Sequence, residues 1–445
     1  MTKRSLRGLI ICLLPVLGSA AYAAPPPPPP GSSDALGAVA RPLNPVVAKI
    51  PLPTDFVGIT AGNFHTCAWQ RSGKVYCWGR NNVGQMGQTS NTLCTAGGSG
   101  PGVACINRPT FNRVIAGQVE AGADHTCVIL PQNGLPSCWG QGQNGQLGAG
   151  IYGTSTGPVT TSLTYALSAI SSGGNTTCAV AANFVFAVSP TQGVPAAANS
   201  QVMCWGNIRL SSGPAGATPM QQIGTGQSLA LLATGDAFGC ATYAAQPQVP
   251  QTHQVWCWGG NSPLGTPGLR PGQDPNSVIV AVNLAAPVVA LSAQGASVCA
   301  TQNTGVIVCF GNGEHGNLGN GQSGLGPSTP QPQTVGPAPR FSAVQTALSV
   351  GGDHTCALDI SGAAWCWGNG GHGELGNNAA AIFATPQPVA GGHVFRLIAS
   401  GGEHTCAVDT GNAIYCWGDN SSGQLGTQVQ GGYMPVPYPT SPPSD

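Results

Sequence analysis

Apolar residues in this chain come in short runs, each of about five residues and closed by Gly, Asn, Asp or Pro, a rhythm that predicts many short strands joined by turns. One stretch, HTCALDISGAAWCWG at 354–368, shows the unit: an apolar run around Cys356, a turn Asp-Ile-Ser-Gly, and a second apolar run ending in Cys-Trp-Gly. It reads as a β-hairpin, with Gly362 supplying the positive φ of the loop, as Gly73 does in an earlier copy. Placing Cys356 opposite Cys366 sets Ala357 against Trp365, Thr355 against Trp367 and His354 against Gly368.

The hairpin recurs. Close copies begin at His65 (HTCAWQRSGKVYCWG), His125 (HTCVILPQNGLPSCWG) and His404 (HTCAVDTGNAIYCWG), and divergent ones surround Cys178 and Cys204, Cys240 and Cys257, and Cys299 and Cys309. The leading cysteines are 67, 127, 178, 240, 299, 356 and 406, a period of about 50 to 62 residues. Most copies continue into a glycine loop, such as NNVGQMG (81–87), GQNGQLG (142–148), GEHGNLG (313–319), GHGELG (371–376) and NSSGQLG (420–426). A single unit cannot bury its own faces, so the units must pack on one another. Seven antiparallel four-stranded units fit a closed ring, and closure removes the exposed edges that a weakly charged protein tolerates badly. The expected fold is therefore all-β, a seven-bladed β-propeller. A strand from one terminus is expected to close it, either NPVVAKIP (44–51) or YMPVPYP (433–439).

Together, G-x-x-H-T-C-A-L, the turn glycine, V-Y-C-W-G and G-x-L-G resemble the regulator of chromosome condensation repeat, over roughly Pro53 to Gly426. The resemblance implies a seven-bladed propeller. The founding member drives nucleotide exchange on a small GTPase and binds chromatin, whereas a secreted propeller of similar architecture inhibits β-lactamase through one face. Fold-level likeness does not choose between such roles.

Composition narrows the choice. Only 6% of residues are charged, with 14 basic and 14 acidic side chains, and Gly (67) and Pro (39) are abundant. Lys3, Arg4 and Arg7, an apolar run from Leu9 to Leu17 and the small residues Ala21 and Ala23 form the three parts of a secretory signal, so 1–23 is expected to be cleaved and the protein secreted, extracellular or periplasmic. The apolar run is too short to span a bilayer, so no transmembrane span is expected after cleavage. Residues 24–45, opening with six prolines, read as an extended linker. The propeller is assigned to 46–440 and a tail to 441–445. Losing three cations leaves 11 basic against 14 acidic residues, which argues against a nucleic-acid partner.

Of 17 cysteines, Cys12 leaves with the signal. The even remainder in an exported chain argues for disulfides: Cys67–Cys77, Cys127–Cys138, Cys178–Cys204, Cys240–Cys257, Cys299–Cys309, Cys356–Cys366 and Cys406–Cys416, one within each blade, plus Cys94–Cys105 in a glycine-rich insertion of blade 1. A zinc site of His354, Cys356 and Cys366 is the competing reading. Blades 3, 4 and 5 keep both cysteines but carry Thr176, Phe238 and Ser297 in place of the histidine, so no metal and no cofactor are expected. His65, His125, His354 and His404 then read as structural residues lying over the opposed glycine and hydrogen-bonding locally.

Function is expected where copies differ. Blade 3 lengthens its hairpin with NFVFAVSPTQGVPAAANSQ (183–201) and blade 4 with AAQPQVPQTH (244–253), which should project together; Phe184, Phe186, Tyr243 and His253 are the candidate binding residues. The favoured function is a secreted, monomeric interaction module presenting one face, with its blade 1, 3 and 4 insertions, to a protein or glycan. The alternative is a hydrolase or lyase at the central channel. Asp124, Asp353 and Glu403 recur before the repeat histidines as repeat elements, and no catalytic residue is assigned.

Overall fold

The computed structural model describes residues 55–94, 102–181, 201–208, 216–224, 229–243, 253–259, 280–324, 329–429 and 431–444. The signal, the linker, the candidate closing strand at 44–51 and both Phe184 and Phe186 lie outside the described residues.

Seven antiparallel sheets follow one another along the chain. Blade 1 uses Phe56–Ala61, His65–Gln70, Lys74–Arg80 and Val103–Ile115, with the short strand Leu93–Cys94 added at its edge. Blade 7 uses Phe395–Ser400, His404–Asp409, Ile414–Asp419 and Tyr433–Pro439. In each blade the strands pair in chain order, and the first strand faces the centre, where the first strands of blades 1 and 7 meet. The hairpin register is the expected one, Cys356↔Cys366, Ala357↔Trp365, Thr355↔Trp367 and His354↔Gly368.

Closure differs from expectation. Among the described strands no blade borrows one: Tyr433–Pro439 completes blade 7 in chain order, and the strands of blade 1 run from Phe56 onward. Seven contiguous blades need no exchanged strand because the junctions are made by packed side chains and by backbone bonds between turns, Gly402 N to Gly62 O (3.2 Å) at the closing one. Beyond blade 7 the tail also reaches blade 1, where Ser444 N donates to Pro109 O (2.9 Å) and Phe111 N to Ser444 O (2.8 Å).

The core lies between blades. Trp417 of blade 7 packs against Cys356, Cys366 and Leu375 of blade 6, and Trp139 of blade 2 against Cys67, Cys77 and Met86 of blade 1. The same set recurs at the closing junction, where Trp78 meets Cys406, Cys416 and Leu425. At the junction of blades 4 and 5, Phe310 takes the tryptophan's place over Cys240 and Cys257. The cysteine pair, the leucine of G-x-L-G and the next blade's Cys-Trp-Gly thus form one packing unit. Middle strands covered on both sides are buried throughout, as His125–Ile129 is, whereas the outer strand Ser155–Thr160 alternates half-buried with exposed positions.

Candidate functional site

Eight disulfides join the cysteine pairs named above. With both sulfurs of each pair bonded to one another, His354, Cys356 and Cys366 do not form a thiolate metal site. Among the described residues no group of three metal-ligating side chains is assembled.

The histidines bond across blades, which corrects the expectation of a local partner. Nε2 of His354 lies 2.8 Å from Thr405 Oγ1, His65 Nε2 3.0 Å from Thr126, His125 Nε2 2.8 Å from Thr177, and His404 Nε2 2.8 Å from Thr66, which closes the ring. Thr405 donates its own hydrogen to Glu374 O (3.0 Å), and Thr126 donates to Gln85 O (2.9 Å). A hydroxyl has one hydrogen, so the histidine must donate from Nε2, leaving Nδ1 unprotonated. The same carbonyls accept from the tryptophans: Trp417 Nε1 to Glu374 O is 2.8 Å and Trp139 Nε1 to Gln85 O is 3.0 Å. The motif is an inter-blade clamp in which histidine and loop carbonyl of one blade grip threonine and tryptophan of the next. Two glycines make room for it: a Cβ at Gly401 would stand 2.4 Å from the His404 ring, and one at Gly418 (φ +103°) would stand 2.6 Å from Glu403 O. Burial holds all four imidazoles neutral, with pKa lowered to about 3.

Thr405→Val keeps the shape but leaves the buried His354 Nε2–H and one bond to Glu374 O unmade. The expected cost is about 2–3 kcal/mol, read as a lowered denaturant midpoint at unchanged m-value. A change below about 0.5 kcal/mol would rule the clamp out as a source of stability.

With the repeat chemistry absorbed in packing, the two faces of the ring carry the remaining candidates. The turns after the first strands meet around one face through backbone bonds such as Asn63 N to Ala123 O (2.9 Å) and Gly352 N to Gly401 O (2.9 Å). Because strands alternate in direction, the glycine loops share this face and the hairpin tips lie on the other. The turn-and-loop face carries Asp124, Asp236, Asp353 and Glu403 on its turns and Glu314 and Glu374 on its loops. His315 Nδ1 lies 3.0 Å from Asp353, and His372 Nδ1 lies 3.6 Å from both Glu374 and Glu403. Arg80 on this face lies 3.6 Å over the Phe64 ring and donates to Ser422 Oγ at 3.2 Å, and exposed Arg108 stands near the same end of blade 1. Burial raises the pKa of Asp124, with Arg80 and a hydrogen bond from Gln85 opposing it, and burial likewise raises Glu374 and Asp236. Cations gather on the hairpin face, with Arg71, Lys74, Arg113, Arg340 and Arg396 against Asp55, Asp359 and Asp409.

One shared surface for all three insertions does not follow from this topology. Arg80↔Cys105 pairing sets the Cys94–Cys105 loop at the turn-and-loop end, while Val180↔Val202 and Leu229↔Tyr243 set the openings of the blade 3 and blade 4 insertions at the hairpin end. Tyr243 is half-buried, edge-on to Trp256 with ring centroids 5.5 Å apart, and His253 is exposed. The channel at the centre holds one carboxylate among its described lining residues, Glu120, whereas a glycosidase needs two. Glu120, Arg80, His315 and His372 were not singled out by the sequence; the loop histidines in GEHG and GHGE were visible there but differ from copy to copy.

Profiles of the regulator of chromosome condensation (RCC1) repeat match residues 56–85, 346–374 and 395–424, and again 72–129 and 361–408. Among curated proteins, the mitochondrial RCC1 domain-containing protein RUG3 of Arabidopsis thaliana is 32% identical over 29% of this chain and 30% of its own length. The ultraviolet-B receptor UVR8 of the same plant is 34% identical over 22% of this chain and 21% of its length. The matches thus span less than a third of these relatives. Among solved structures, Prp20p of Saccharomyces cerevisiae superposes with a TM-score of 0.64 at 15% identity, covering 88% of each chain, a likeness of fold alone. The chain thus matches the RCC1 repeat over residues 56–129 and 346–424 and folds as a seven-bladed β-propeller.

Proposed function

We propose that this protein is an exported interaction module that docks a basic segment of a partner protein on the turn-and-loop face across blades 5, 6, 7, 1 and 2. The observation that carries the reading is the uneven charge of the two faces among the described residues: six carboxylates on the turns and loops, and Arg71, Lys74, Arg113, Arg340 and Arg396 on the hairpin side. Such a field steers an oppositely charged partner and raises its association rate more than its final affinity. Export rests on the signal-like residues 1–23, with 24–45 as spacer, and is supported by the disulfides. Among the described residues no helix is long and apolar enough to cross a membrane.

A second surface, favoured by the Tyr243–Trp256 pair beside exposed His253, is the hairpin side of blades 3 and 4, including Phe184 and Phe186 of the insertion. Aromatic faces of this kind suit a glycan ring or an apolar side chain. The two readings separate in one experiment, in which the full chain captures partners from the medium and cell envelope alongside Asp353→Lys/Glu403→Lys and a deletion of 183–201. Loss of a specific partner at least tenfold with the charge reversal, and weakening of wild-type capture by salt, is the expected result. Loss with the deletion alone would move the site to the hairpin side.

A further inference from the structure

We propose that the central channel is a binding site for a small primary alkylammonium ion, held by the carboxylate of Glu120. The first strands of all seven blades line a cavity of about 410 Å³, within the ~300–1,000 Å³ range of small-molecule sites. Polar side chains on these strands mostly stitch one blade to the next. Thr60 Oγ1 accepts from Ala121 N (3.1 Å), Ser292 Oγ from Val350 N (2.9 Å) and Ser349 Oγ from Ser400 N (2.8 Å). Gln345 bonds both backbone groups of Leu291, at 2.8 and 2.7 Å.

Glu120 is the exception. Gln118, clamped to the backbone of Ile170 (Nε2 to O, 2.8 Å), also donates to Glu120 Oε1 at 3.0 Å and so orients the carboxylate. The second oxygen has no hydrogen-bond partner among the described residues. No cation lines the channel, and Glu120 is the only titratable side chain in the described lining; blade 1 presents Thr60 and blade 3 Ser171 and Ser172 beside it. Without a counter-ion, burial raises the pKa of Glu120 to about 7. A carboxylate that is ionised only reluctantly gains most from a cation that enters with it.

The lining also selects the kind of cation. One carboxylate is too few for a divalent metal, which takes about six or more oxygens, whereas an ammonium group needs one charge partner and accepting oxygens around it. Two residues along the strand from the level of Glu120, about 7 Å away, the Trp69 indole lies across bare Gly58, within 2.4 Å of where a Cβ would stand, and forms part of the wall. An alkyl tail of about four carbons spans from the carboxylate to that ring.

The probe is n-butylammonium, titrated calorimetrically into the full chain at pH 8.5 and 5.5, with n-butanol as the uncharged control. Binding is expected at pH 8.5, weaker by at least tenfold at pH 5.5, where Glu120 is protonated and native near-ultraviolet circular dichroism confirms that the ring is still folded, and absent for n-butanol. Glu120→Gln, which keeps the shape and the bond to Gln118 and is checked for native near-ultraviolet circular dichroism, should abolish it. Equal binding by that variant, equal binding of n-butanol, or no heat from millimolar amine at pH 8.5 would each overturn the proposal.

Discussion

Between pH 6.5 and pH 4.5 the protein is expected to lose stability steeply, by up to about 4 kcal/mol per pH unit, and to unfold in mild acid. His65, His125, His354 and His404 have pKa lowered to about 3 in the folded ring by burial, the charge of neighbouring clamp histidines adding to it for His65 and His404. In the unfolded chain they titrate near 6.5. Below 6.5 the unfolded state therefore binds protons that the folded state refuses, so stability is full above that value and falls as pH drops toward 3. Each proton is worth about 1.4 kcal/mol per pH unit. Glu120 works the other way: its raised pKa, about 7, lets the folded state take up one proton that the unfolded chain does not bind until near 4.3. Four protons less one leaves a net of about three, an upper bound, because the burial-raised carboxyls of Asp124, Asp236 and Glu374 also take up protons in the folded state. Denaturant midpoints measured from pH 8 to 4 test the slope, and a flat profile to pH 4 would refute the buried neutral tautomer. His354→Ser, which installs the residue that blade 5 carries as Ser297, should remove about one proton from the slope.

The reduced chain is expected not to refold. The seven blade disulfides close loops of 10 to 26 residues, each worth about 2.7 kcal/mol or more by chain entropy, so together they nominally approach 20 kcal/mol. That exceeds the roughly 5–15 kcal/mol by which typical domains are stable. Their position adds to the loss, since each disulfide is the floor on which the next blade's tryptophan, or Phe310 in blade 5, rests. The native protein should resist reductant, because the sulfurs of all seven pairs are fully buried. After guanidinium with reductant, dilution should restore neither near-ultraviolet circular dichroism nor native tryptophan fluorescence. Recovery of both would show that the staples are dispensable.

How much of this was legible depends on whether the chemistry stays inside one copy. The hairpin register around Cys356 and Cys366 could be read because both strands lie within fifteen residues and share a turn with one plausible glycine. Seven copies then carried the ring. The threonine of His-Thr-Cys could not be assigned, because its partners, such as His354 and Glu374 for Thr405, belong to the preceding blade. Closure was misread for the same reason: a terminal strand seemed necessary while the clamp of His404 on Thr66 was invisible. The placement of the insertions needed strand direction, which sets the loop after a third strand opposite the tip after a second. Glu120 sits in a four-residue strand, Gln118–Ala121, with no motif around it, and only the cavity made by the other blades gives it meaning.

The clamp is not evenly distributed. Where blades 3, 4 and 5 meet, Gly239 and Val298 replace the threonine, and Thr176 and Phe238 replace the histidine. Packing still holds these two junctions, through Trp258 over Cys178 and Cys204 and Phe310 over Cys240 and Cys257, with Thr234 Oγ1 to Ser171 O (3.1 Å) and Asp236 N to Gly295 O (2.8 Å) beside it. Mechanically the disc is a washer bolted by the clamp around most of its rim and more lightly fastened along one arc. Torque applied anywhere on the rim, or a wedge driven into the bore, opens it there first.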